Sequence, residues 1–150
     1  MKTFQIILFT VLIYTNIKAQ TLKELLPSAD VIFNHVEIWQ TKDKSKLGEL
    51  ISSRRATTKV NVFIGTIEPK HTIIGIESSI FSGISVLRVK SVEVMVNKED
   101  ETQNGYLAYC TDVSGKEGNE VSILLVYKSD KLIETSLLNL SDSTVKFSDK

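Results

Sequence analysis

The sequence predicts an α+β domain dominated by an antiparallel β meander of seven to eight strands, with one or two helices near its N-terminus. Three observations lead there. From Thr57 onward apolar and polar residues alternate with a period of two, the pattern of half-buried strands. The connections between these runs are short and carry turn residues, and strands joined so locally must pair antiparallel, because a parallel pair needs a crossover of about a dozen residues or more. Before Thr57, two segments carry helix signals instead of strand signals.

Residues 1–19 read as a secretory signal peptide. Lys2 supplies the positive start, residues 4–14 form a mostly apolar run broken only by Gln5 and Thr10, and Ala19 is the small residue at the cleavage point. A membrane-spanning helix needs about 20 apolar residues, and Asn16 and Lys18 stop the run short of that. No cysteine lies at the cleavage point to take a lipid. The expectation is therefore a secreted or periplasmic protein, residues 20–150, folded as one globular β-rich domain with no stable membrane anchor after cleavage.

In chain order, Thr21 and Glu24 form a capping box for a helix that Pro27 ends within one or two turns. Residues 31–39 fit either a helical stripe or a strand, and their β-branched and aromatic content favours strand. Residues 43–55 are the best helix candidate: Asp43 caps it, and Leu47, Leu50 and Ile51 lie at i, i+3 and i+4. Gly48 weakens it by about 1 kcal/mol relative to alanine. Val60, Val62 and Ile64 then open the β region, Pro69 marks a turn, and residues 72–76 follow as a strand.

Residues 86–96 contain a phase slip. Leu87 and Val89 belong to one alternation, Val92, Val94 and Val96 to the other. A bulge near Lys90-Ser91, or a break there, restores one buried face. Asn104-Gly105 reads as a turn, residues 106–113 and 120–128 as a hairpin, 129–131 as a shorter turn, and 132–138 and 144–147 as final strands. Two closures fit: an open sheet with the helix on one face, or a small closed β-barrel capped by the helix. In layout alone the latter resembles the small ligand-binding barrels of the fatty-acid-binding kind; no residue motif of that family is present.

Charge and cysteine usage narrow the function. The chain has 18 basic and 18 acidic residues; losing Lys2 and Lys18 with the leader leaves a slightly acidic domain without a basic face for nucleic acid. Arg54-Arg55 is too short to be one, and suits the C-terminal end of the expected helix. Cys110 is the one cysteine, so no internal disulfide forms, and a lone cysteine in a strand-like run is most simply buried.

No metal-ligand spacing occurs around His35 or His71, although Glu37 or Glu68 could complete a two-histidine site. No Gly-x-Ser-x-Gly elbow and no phosphate-cradling glycine pattern is present. No catalytic residue, metal or cofactor is therefore assigned. Glu93 should point outward, because Val92 and Val94 point in. Asn139-Leu-Ser141 is a formal glycosylation sequon.

The residues left to carry recognition are aromatic. Trp39, Tyr109 and Tyr127 are the candidate ligand-binding residues, Tyr109 and Tyr127 lying on adjacent expected strands. The reading is a non-enzymatic binding or interaction domain for an unidentified small molecule or protein. An apolar-ligand carrier is its sharper form and requires a hollow barrel. The alternative is a small exported hydrolase using Cys110 or a histidine–carboxylate pair. A third is an assembly protein that pairs through an uncovered sheet edge.

Overall fold

The computed structural model describes residues 12–15, 26–40, 48–66, 71–115, 118–140 and 143–149. They form nine strands: β1 (Leu12–Thr15), β2 (Ala29–Gln40), β3 (Glu49–Ile64), β4 (Thr72–Ser78), β5 (Ile84–Asn97), β6 (Gln103–Asp112), β7 (Glu120–Lys128), β8 (Lys131–Leu140) and β9 (Ser143–Ser148). From β2 to β9 each strand pairs with the next, always antiparallel. β9 then returns to pair with β2, from His35↔Ser148 to Gln40↔Ser143. Eight strands thereby close into a barrel, and β1 lies outside the ring on β5.

The closed barrel is thus the architecture, and no helix occurs among the described residues. Residues 21–25 of the first expected helix, and 43–47 of the second, lie outside the described residues. From Glu49 onward the second is overturned, because these residues form the start of β3. Leu50 and Ile51, two of its supposed buried stripe, are 44% and 57% exposed. Leu50 pairs with Trp39 and Ser52 with Ile38 of β2, Ile51 being the extra residue between them, and this non-local pairing overrides a local spacing that suits a helix. Asn104-Gly105 is likewise no turn. Both residues are in β6, and the chain reverses at residues 98–102, where Asn97 Oδ1 accepts from Glu99 and Asp100 N–H and Asp100 Oδ1 accepts from Thr102 N–H. Such side-chain caps mimic a backbone turn.

The phase slip in β5 is a bulge. Val89 pairs with Cys110 and Ser91 with Tyr109, leaving Lys90 as the extra residue. Leu87, Val89 and Val92 consequently all reach the core. The tight β7–β8 turn is made by Ser129 and Asp130 at φ of 49° and 65°, the left-handed pair that a two-residue hairpin of right-twisted strands requires.

Inward alternation fills the barrel. Val60 and Val62, Ile74 and Ile76, Leu87 and Val89, Ala108 and Cys110, Ile123 and Leu125 form successive pairs of the core, with Val36 and Phe147 meeting on the closing strands. Every residue of this core cluster lies between Leu26 and Phe147. Eight strands leave an interior about wide enough for side chains. Phe81, on the β4–β5 connection, reaches Phe147 edge-on at 6.1 Å between ring centres. At the opposite end Tyr127 OH donates to Pro27 C=O at 2.8 Å, holding the entering chain against the mouth.

Outward positions instead carry charges, among them Lys59, Glu77, Arg88 and Glu120. A membrane barrel has the reverse pattern, apolar outward, and a Lys or Arg at the bilayer midplane costs about 2–4 kcal/mol. Among the described residues no helix is long and apolar enough to cross a membrane.

Phe147 is fully buried at the strand that closes the ring and also contacts Phe81. Phe147→Ala should lower unfolding stability by about 3–5 kcal/mol, read from the urea midpoint. A change below about 1 kcal/mol would mean that the β2–β9 closure is not part of the cooperative fold.

Candidate functional site

Outward alternation on the closing strands gathers an unusual set of groups. The β2–β3 ladder shifts register between Phe33 and His35, where Asn34 faces Ala56 and Thr57, and Phe33 and Val36 point in while His35, Glu37 and Trp39 point out. Lys146 stands opposite Glu37, between the buried Val145 and Phe147. Ser136 stands opposite Lys146, and Glu134 opposite Ser148 in the neighbouring row. Three adjacent strands, β2, β9 and β8, therefore present His35, Glu37, Trp39, Lys146, Glu134 and Ser136 on one outer face. Ser53 joins from β3, opposite Glu37.

The contacts are close and shielded. Lys146 Nζ lies 3.1 Å from Glu134 Oε2 and 3.8 Å from Glu37 Oε2. Trp39 Nε1 donates to Glu37 Oε2 at 3.3 Å. His35 Nε2 is 2.9 Å from Ser53 Oγ and 3.8 Å from Glu37 Oε1. The Glu37 side chain is only 5% exposed, and Lys146 and Glu134 are each 14% exposed. Burial pushes the Glu134 carboxyl above the usual range, opposed by Lys146 and reinforced by Glu37. Ser136 is 1% exposed, and its Oγ has no hydrogen-bond partner among the described residues.

The contacts of His35 with Ser53 and Glu37 differ from those of a serine–histidine–acid triad. In a serine–histidine–acid triad the acid holds one ring nitrogen and the serine the other, so that the ring relays a proton. Here Ser53 and Glu37 both approach Nε2. Among the described residues no group of three or more His, Cys, Asp or Glu could hold a metal ion. Cys110 is fully buried, faces the interior, and has its thiol pushed up to about 12 by burial and, secondarily, by Glu120. A thiol so far from thiolate is a poor nucleophile. His71 lies elsewhere, on a shallow surface pocket with Arg88, Lys90 and Thr111.

The three aromatic candidates occupy different environments. Trp39 is half-buried at the margin of the cluster. Tyr109 and Tyr127 are on adjacent strands, yet Tyr109 faces outward beside inward Ala108 and Cys110, whereas Tyr127 is 2% exposed inside the barrel, edge-on to Tyr106 at 5.4 Å. Trp39 is on β2 and Tyr109 on β6, with β9, β8 and β7 between them. Sequence reasoning named His35 and Glu37 for metal binding and did not name Lys146 or Ser136. The signal in the sequence was the period-two row His35-x-Glu37-x-Trp39, whose polar phase opposes Val36 and Ile38.

Because burial raises the Glu134 pKa above its reference value of 4.5, the folded chain holds this proton more tightly than the unfolded chain. The resulting stabilisation is complete below about pH 4.5 and is lost as pH rises through the folded-state value. Urea midpoints measured between about pH 4 and 7 should therefore fall more steeply for the wild type than for Glu134→Gln, which stays neutral. Equal slopes would place Glu134 in water.

No protein-family model, curated protein or solved structure matches this chain, so its function is argued from the site itself.

Proposed function

We propose that this chain is an exported, non-enzymatic interaction domain that recognises its partner on the outside of the barrel, at the face carrying Glu37, Trp39, Glu134 and Lys146. The observation that carries the reading is the shielded charge cluster on β2, β9 and β8. Its two carboxylates, Glu37 and Glu134, share one lysine, while Arg55 stands opposite His35 at the margin of the face. A cationic group of a small molecule or protein is the complement, and Trp39 supplies a ring beside it. Ser136 Oγ adds a hydroxyl that has no partner among the described residues.

An apolar-ligand carrier requires a hollow interior. The interior is filled by Phe33, Phe147, Ile74, Ile76, Leu87, Ile123 and Leu125 among others. The pocket formed by Asp30, Asn61 and Phe63, like that at His71, opens at the surface. A hydrolase built on His35 and Glu37 is the second reading, supported by the His35–Ser53 contact. The approach of Ser53 and Glu37 to the same ring nitrogen makes it the weaker of the two.

The test is native mass spectrometry of the exported protein from its own host. The proposal expects an N-terminus at Gln20 and a retained molecule or discrete partner mass. Trp39→Ala should reduce that occupancy by about tenfold, the effect of losing one aromatic anchor worth about 1.4 kcal/mol. A bare chain in both proteins would count against a tightly held partner, and unchanged occupancy in the variant would place the partner on another face.

A further inference from the structure

Two strands outrun their shorter neighbour, and their overhangs are treated differently. β4 has 7 residues and lies between β3, with 16, and β5, with 14. β4 covers residues 58–64 of β3, and its own residues 73–77 pair with 84–88 of β5. Residues 49–57 of β3 therefore project at one end of the barrel and residues 89–97 of β5 at the other. The β3 overhang is interrupted at Ile51, where its pairing with β2 shifts register, and it carries Arg54 and Arg55. Bulges and charges are devices that keep an edge from pairing with another chain.

The β5 overhang has no such protection after its Lys90 bulge. Residues 91–97 continue without a further register shift as Ser-Val-Glu-Val-Met-Val-Asn, with one charged side chain among them. Their inner edge is bonded to β6, and the other edge accepts β1: Thr15↔Val94, Tyr14↔Met95, Ile13↔Val96 and Leu12↔Asn97. Among the described residues, β1 is the only strand on that edge. Its four residues belong to the segment read as the signal peptide, so cleavage at Ala19 removes them and leaves no strand on this edge among the described residues.

We infer that the free β5 edge of the cleaved protein is a strand-pairing interface, and that its occupant is the same edge of a second copy, related by a twofold axis. The inference rests on the export reading for its biological setting. The edge already takes an antiparallel strand, and antiparallel is what a twofold axis perpendicular to a sheet produces. Self-pairing preserves faces only when a residue meets itself at the centre, which leaves few registers. Centring on Glu93 sets two carboxylates against each other, and centring on Val94 sets Lys90 against Lys98. Centring on Met95 avoids both conflicts. It pairs Val94 with Val96 and places Glu93 opposite Asn97 of the second copy. Glu93 Oε2 has no hydrogen-bond partner among the described residues, while Asn97 uses its Oδ1 for the β5–β6 turn and keeps its amide N–H groups as donors. This register pairs residues 93–97 of each copy, a small interface, so the dimer is weak and concentration-dependent.

The experiment uses the chain from Gln20, which retains β2–β9 and the whole core cluster, beside the full chain from Met1. Met95→Cys places two thiols directly opposite, at the Cα separation of about 4.5–5.5 Å that antiparallel pairing provides and a disulfide accepts. The native Cys110 is buried and does not compete. On oxidation the Met95→Cys variant should form covalent dimer at least about tenfold faster than a Ser82→Cys control on the exposed β4–β5 connection, the advantage of prior association over random encounter. The full chain carrying Met95→Cys should cross-link more slowly, since β1 occupies its edge. Sedimentation should show a dimer for the chain from Gln20, shifted toward monomer by Met95→Lys. A chain from Gln20 that stays monomeric at high concentration and cross-links no faster than the control overturns the inference. So does a dimer that ignores both Met95 substitutions. Neither result depends on where the host cuts the leader, which the mass of the exported protein reads separately.

Discussion

The pairing of β9 with β2 is the contact on which the rest of this molecule depends. Every other ladder of the ring joins strands that are neighbours in sequence, and these form with short loop closures. β9 alone must find a strand more than a hundred residues away, His35 meeting Ser148 across the seam. Both faces of that seam are specified. Inside, Val36 and Phe147 are fully buried opposite each other; outside, Glu37 stands opposite Lys146. A one-residue slip would turn Phe147 to water and Lys146 into the core, which no apolar gain elsewhere offsets. The charge cluster proposed for recognition therefore also fixes register, and a buried ion pair is better suited to setting register than to adding net stability. The two roles coexist because register needs only the Glu37–Lys146 pair, whereas Trp39, Glu134 and Ser136 extend the face beyond what alignment demands.

Much of the fold was legible because β-structure writes its pattern locally. The slip between Val89 and Val92 predicted a bulge near Lys90-Ser91, and Lys90 is the extra residue. The hairpin of β6 and β7 and the Ser129-Asp130 reversal followed from turn residues between alternating runs. What failed was the stretch where two codes overlap. Leu47, Leu50 and Ile51 fit one helical face, and nothing nearby says that Ile38 waits across a ladder for Ser52. Asn104-Gly105 failed for a related reason: Gly105 is buried within β6, directly opposite Val126, and the reversal was assembled instead by the side chains of Asn97 and Asp100.

The site was only half legible. His35, Glu37 and Trp39 share a strand, so their common face is readable from a period of two. Lys146 and Glu134 are 109 and 97 residues from Glu37 in the chain, and only the order β2-β9-β8 brings them beside it. The same limit explains the aromatic candidates. Adjacency of strands suggested that Tyr109 and Tyr127 share a surface, but a common face depends on register, and the pairing of Tyr109 with Ser122 and Tyr127 with Asn104 puts them on opposite sides of the sheet.

A filled barrel moves the question of function to its exterior. Apolar side chains occupy the space that ligand-carrying barrels leave open, so the proposed recognition is assigned to outward rows and strand edges. Those rows are not uniform. Over β3, β4 and β5 they carry scattered charges such as Lys59, Glu77 and Arg88, and the Lys59–Asp30 pair at 3.7 Å there is open to water. Over β2, β9 and β8 they carry charges withdrawn from water and bonded to one another. Withdrawn charges hold a defined geometry and a strong local field because little solvent screens them. A partner presenting a cation there gains most if it completes the shielding, and loses most if it leaves Glu37 or Glu134 buried and unmatched. Selectivity at such a face follows from the penalty for imperfect pairing more than from the attraction itself.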